Sequence, residues 1–148
     1  MKTKSIGIIP YLITDKGVSI LLMKASKKDQ HYGFVKGKIE ENETIKECCQ
    51  REVKEEIGIN ISSSDLEHPI KQKNRKKDII LFYINWDKYI AQPFILEEKE
   101  VYKVEWFNIS NLPLISKNQR LILTDIKVRF DKLNFIAKGV KKCLMKSK

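Results

Sequence analysis

The chain has 148 residues, 42% of them hydrophobic and 32% charged, with a formal net charge of +10. That length suits one domain, residues 1–148, with a sizeable core, and no apolar run approaches the roughly 20 residues a membrane-spanning helix needs. Residues 1–6 hold no apolar stretch before small residues, which argues against a secretory leader and for a cytoplasmic protein.

In chain order, residues 6–13 form an isoleucine-rich apolar run, Thr14-Asp15-Lys16-Gly17 is a turn signal, and residues 18–25 read as the second strand of a hairpin. After a polar loop, Tyr32-Gly33-Phe34-Val35 reads as a short strand running into Gly37. From Thr44 to Ile57 the residues Ile45, Cys49, Val53 and Ile57 recur every four positions, predicting a helix with Asn42 as its N-cap and Gly58 just past its end. Strands are predicted at 79–86, after a basic turn at 71–77, and at 101–107. Residues 117–142 read as a C-terminal helix with Ile122, Ile126, Phe130 and Leu133 near one face and a break near Asp131. The order of strands, helix, strands and helix predicts an α/β fold with a mixed sheet sandwiched between helices.

The cysteines, Cys48, Cys49 and Cys143, match neither a disulfide framework nor a zinc spacing and read as reduced, small buried residues. Charge is unevenly spread. Residues 40–56 are acidic, while residues 71–77 and the lysines Lys138, Lys141, Lys142, Lys146 and Lys148 are basic. An acidic pocket in a basic body suits a metal site that handles a polyanion, but ordinary solubility charge gives the same distribution.

Glu52, Glu55 and Glu56 stand at i, i+3 and i+4, which puts three carboxylates on one helical face. Like charges so placed repel, and a hard cation such as Mg²⁺ or Mn²⁺ would relieve them. On their own they would pass for a solvated face. Residues 37–59 change that reading: Gly37, Glu43, Arg51, Glu52, Val53, Glu55, Glu56, Gly58 and Ile59 fall at the fixed positions of the Nudix box without a departure. Such a match arises by chance about once in a billion start points given ordinary residue usage, so the chain is identified as resembling the Nudix hydrolases.

The resemblance implies hydrolysis of a phosphoanhydride bond in a nucleoside diphosphate linked to another group. It implies that Glu52, Glu55 and Glu56 hold the metals, with the main-chain carbonyl of Lys36 as a further ligand. Arg51 would pair with Glu43 to pin the glycine loop, Gly37 would let that loop fold tightly, and Gly58 would end the helix. An extra carboxylate outside the box, serving as base or metal ligand, would be Glu100, with Glu98 the alternative. Tyr32-Gly33-Phe34-Val35-Lys36-Gly37 is similar to the lead-in of two Nudix groups, the diadenosine tetraphosphate hydrolases and the RNA 5′-pyrophosphohydrolase or decapping domains. Val35 replaces the usual proline and Tyr32 the common tryptophan.

Lys36 and Lys38 are candidate phosphate contacts and Tyr32 a candidate base-stacking residue. The favoured substrate is a dinucleoside polyphosphate such as diadenosine tetraphosphate. An RNA 5′ end guided by the basic surface, an oxidised nucleoside triphosphate as for MutT, and a non-catalytic nucleotide- or RNA-binding module are the alternatives. Few residues precede the first strand, so the helical regulatory domain of eukaryotic decapping enzymes is not expected.

Overall fold

The structure is a computed structural model that describes residues 2–146, with the side chains of 118 and 138–146 outside that description. The side chains of Cys143 and of the lysines Lys138, Lys141, Lys142 and Lys146 therefore lie outside the description, as does the whole of Lys148. Strand β1 (Thr3–Thr14) organises the sheet. Its second half pairs antiparallel with β2 (Gly17–Lys24), and its first half pairs antiparallel with β3 (Lys36–Lys38). Its other edge pairs in parallel with β5 (Lys77–Asn85). With β4 (Pro69–Lys73) and β6 (Lys103–Asn108), the order is β4-β5-β1-β2-β6, with β3 alongside β1.

Alternate residues of these strands feed two cores. Ile6, Ile8, Leu21, Ile80 and Phe82 pack with Cys49, Val53 and Ile57 of helix α1 (Ile45–Ile57). Ile9, Ile20, Leu22, Ile79 and Leu81 pack with Ile122, Ile126 and Phe130 of helix α2 (Arg120–Lys146). The mixed sheet thus lies between two helices. A strand covered on both faces must be apolar at every position, which is why Ile79 to Ile84 is buried throughout.

Four local expectations change. Thr44, not Asn42, caps α1: its side chain accepts from the Glu47 N–H while the Glu47 carboxylate accepts from the Thr44 N–H, a capping box. Asn42 instead takes a left-handed turn conformation, with φ 62°. Helix α2 runs on without a break at Asp131, because the residue that follows Phe130 inward is Asn134, not Leu133. The Asn134 Oδ1 accepts from the Val18 N–H at 2.7 Å, so a buried polar side chain interrupts the apolar pattern and not the helix. Tyr32 and Gly33 form single bridges, to Ile115 and Met23, and the short strand begins at Lys36. Finally, the basic stretch 71–77 is not all turn: β4 (Pro69–Lys73) runs into it and β5 starts at Lys77. Among the described residues no helix is long and apolar enough to cross a membrane.

Candidate active site

The capping box fixes where α1 begins, and the buried stripe of Cys49, Val53 and Ile57 fixes its rotation. The opposite side then presents Glu52, Glu55 and Glu56 to a cleft of about 370 Å³. Its other lining residues are Ser5, Lys36, Gly37, Lys38, Lys77, Glu97 and Glu100. The sequence does not mark three of these, Ser5, Lys77 and Glu97, as members of the site. Lys77 and Ser5 reach the cleft through pairing of distant strands, Lys77 beside Thr3 and Ser5 beside Lys38, whereas Glu97 reaches it on a loop bonded to the end of α1.

Arg51 is the hub of the acidic face. Its Nε donates to Glu43 Oε2 at 2.6 Å and its Nη2 to Glu43 Oε1 at 3.0 Å, a two-pronged pair. The same Nη2 donates to the Lys38 main-chain oxygen at 3.1 Å, tying helix to loop. Its Nη1 reaches Glu52 Oε1 at 2.9 Å and Glu55 Oε2 at 3.1 Å, contacts the sequence did not suggest. The Arg51 hydrogen bonds hold the Glu43 carboxyl down to about 2. Gly37 leaves room for the Glu52 carboxylate: a Cβ there would stand 1.9 Å from the Glu52 carboxyl carbon and push that side chain aside.

Glu56 is the buried member of the set. Burial, then the Glu52 charge, pushes its carboxyl up to about 8. Its Oε2 is buried without a hydrogen-bond partner, and an orphaned buried carboxylate oxygen is costly unless something else meets it. Burial and the Lys77 charge bring Lys36 down to about 8. Burial also raises Glu52.

The loop that supplies Glu97 and Glu100 is stitched to the end of α1. The Ile95 N–H donates to the Ile57 oxygen at 2.9 Å, and the Glu97 N–H to the Glu56 oxygen at 3.0 Å. Gly58 closes the helix in the left-handed region, at φ 74°, where a Cβ would also stand 2.7 Å from Ile95 Cβ. Glu97 Oε2 accepts from the Lys99 and Glu100 N–H groups, shaping the turn that brings Glu100 to the cleft. Glu98 is exposed and is not among the lining residues. Tyr32 is not among them either. It is buried against the α2 core, edge-on to Phe107 at 4.9 Å between ring centres.

Among the described residues no three acidic, histidine or cysteine side chains converge on a single ion position. The Glu52 and Glu55 carboxylates instead both accept from Arg51. The donors nevertheless fit a hard divalent cation: they are carboxylate oxygens, one of them buried and unpartnered.

The NUDIX domain family model matches residues 1–126, which takes in the whole cleft. The chain belongs to the NUDIX domain family. Among curated relatives, this Nudix chain is 33% identical over 100 residues to the Schizosaccharomyces pombe protein named mRNA decapping complex subunit 2, covering 67% of this chain and 14% of that one. It is 25% identical over 114 residues to a Stutzerimonas stutzeri protein named NAD-capped RNA hydrolase NudC, covering 74% and 39%. The chain thus spans well under half the length of these relatives. The Nudix fold recurs in a solved MutT NUDIX hydrolase from Burkholderia pseudomallei (TM-score 0.63, 17% identity, covering 84% and 97%). It recurs again in a Caenorhabditis elegans Ap4A hydrolase (TM-score 0.54, 17% identity, covering 97% and 98%).

Proposed function

We propose that this chain is a divalent-metal-dependent pyrophosphohydrolase acting on the 5′-terminal phosphates of RNA, capped or polyphosphorylated. The observation that carries the reading is one cleft lined both by Glu52, Glu55 and Glu56 and by Lys36 and Lys77. Carboxylates suit a hard cation and amines suit phosphate, so a metal-bound polyphosphate satisfies both sets. The names of the curated relatives, decapping and NAD-cap hydrolysis, support an RNA end as the attached group.

Mg²⁺ or Mn²⁺ held by Glu52, Glu55, Glu56 and the Lys36 carbonyl would supply positive charge against the bridging phosphate oxygens. Lys36 and Lys77, with Lys38 at the rim, hold the non-bridging oxygens. Glu100 at the mouth of the cleft takes the proton of the attacking water as the new P–O bond forms and the phosphoanhydride P–O bond breaks. The Glu43–Arg51 pair keeps the glycine loop seated on the helix. Tyr32, packed away from the cleft, supports that loop rather than stacking on a base.

A second reading, hydrolysis of dinucleoside polyphosphates such as diadenosine tetraphosphate, is favoured by one observation. The described cleft lining holds no aromatic residue, so the cleft grips phosphates without selecting the group attached to them.

Incubation with Mg²⁺ and capped RNA, NAD-capped RNA, 5′-triphosphorylated RNA, diadenosine tetraphosphate and 8-oxo-dGTP tests both. Release of 5′-monophosphorylated RNA is the expected result. ATP and AMP from the dinucleotide alone would transfer the activity to the second reading, and pyrophosphate from 8-oxo-dGTP alone would make the protein a nucleotide sanitiser of the MutT kind. Binding without turnover of any of them would leave a nucleotide-binding module.

A further inference from the structure

The turn between β4 and β5 lies at the same end of the sheet as the cleft. Parallel pairing sets Lys4 beside Asp78, and antiparallel pairing sets Lys73 opposite Asp78 and Lys38 opposite Ser5. Main-chain bonds draw the edge together: the Thr3 N–H donates to the Lys76 oxygen at 3.2 Å, and the Ile39 N–H to the Lys4 oxygen at 3.0 Å. The ends of β3, β1, β5 and β4 therefore lie side by side, about 14 Å across at the usual strand spacing.

This edge is cationic. Lys4, Lys38, Lys73, Arg75 and Lys76 are exposed, while Lys77 is half-buried and lines the cleft. Asp78 is the one acidic residue in these segments, and Lys2 takes it at 3.1 Å. Among the described residues no ion pair is made by any of the six cations just named. Lysines placed for solubility are interspersed with acids. A continuous ridge of one sign, opening from a phosphate-binding cleft, instead attracts an extended polyanion.

We propose that this ridge binds the single-stranded RNA chain downstream of the cleaved linkage, an inference that rests on the RNA 5′-end reading above. Lys77 is the junction, facing the terminal phosphates in the cleft, and the backbone then passes over the strand ends toward Arg75. The contacts are to phosphate, so binding is independent of sequence. A dinucleotide ends inside the cleft and never reaches the hairpin.

The test is the triple variant Lys73→Gln, Arg75→Gln, Lys76→Gln, whose three side chains are exposed and outside the cleft. Its fold is checked by thermal melting. Turnover of a capped 30-nucleotide RNA and of a dinucleotide cap analogue is compared with wild type, and affinity for a 5′-monophosphorylated 12-mer RNA is read by fluorescence anisotropy. At about 0.1 M salt, kcat/KM on the RNA and affinity for the 12-mer should each fall at least about tenfold, and the logarithmic salt dependence should flatten by about 2. Turnover of the cap analogue should be unchanged. Unchanged RNA turnover, affinity and salt slope would overturn the ridge, and so would equal losses on RNA and cap analogue. If the wild type cleaves no RNA but the variant still loses 12-mer affinity, the ridge stands and the RNA 5′-end reading falls.

Discussion

Replacing Glu56 by glutamine removes a carboxylate that is 9% exposed, whose Oε2 has no hydrogen-bond partner. In the metal-free protein burial raises that carboxyl from 4.5 to about 8, so the folded state holds its proton more tightly than the unfolded chain does. Stability from this group is therefore complete below the ordinary glutamate value and is lost as pH rises towards 8. At pH 7 the gap between the two states corresponds to about 3 kcal/mol at 1.36 kcal/mol per unit, or roughly 6–12 °C in Tm for a domain of this size.

Glutamine carries no charge to bury. With chelator present, Glu56→Gln should melt above wild type at pH 7.5 and lose that advantage by pH 4.5. Mg²⁺ should then raise the Tm of wild type and not of the variant, while turnover falls at least about a hundredfold. Differential scanning fluorimetry across pH, with and without Mg²⁺, reads all of this. A variant less stable than wild type at every pH, or stabilised equally by Mg²⁺, would refute the reasoning.

Gly37→Ala puts a methyl group 1.9 Å from the Glu52 carboxyl carbon; the flexible side chain yields, so turnover should drop about a hundredfold while chemical denaturation moves little. Arg51→Lys exchanges a two-pronged guanidinium for a point charge, and urea unfolding should show a loss of about 1–2 kcal/mol with kcat down at least about tenfold. Because Arg51 holds Glu43 near 2, the stability this pair gives is present above the ordinary glutamate value and lost as pH falls towards 2, so acid titration of the two proteins should converge there. Thr44→Ala breaks the capping box and should cost about 1 kcal/mol with kcat/KM unchanged, as measured by denaturation and turnover together.

Residues 37–59 made the acidic face legible because its parts lie within one loop and one helix, where spacing alone sets geometry. The hidden parts depend on pairing across the sheet. Lys77 read as one more cation in a basic run, and only its position beside Thr3 brings it to the cleft. Strand β4 is not legible because its one buried residue is Gln72, between Lys71 and Lys73, so no apolar alternation marks it. Asn134 masked the continuity of α2 by satisfying the Val18 N–H from inside the core. Tyr32 looked like a base-stacking residue because its neighbours in sequence line the site, whereas its ring turns to Phe107 on the other side of the sheet.

The last carbonyls of a helix ordinarily look to water for partners. Here the Glu56 and Ile57 carbonyls are taken by Glu97 and Ile95, so the carboxylates of α1 and those of the distant 95–100 loop are positioned from one shared origin. Insertions before Ile95 or beyond Val101 leave the distance between those two acidic groups untouched. A scaffold joined in this way can change the walls of the cleft while its two acidic groups stay in register.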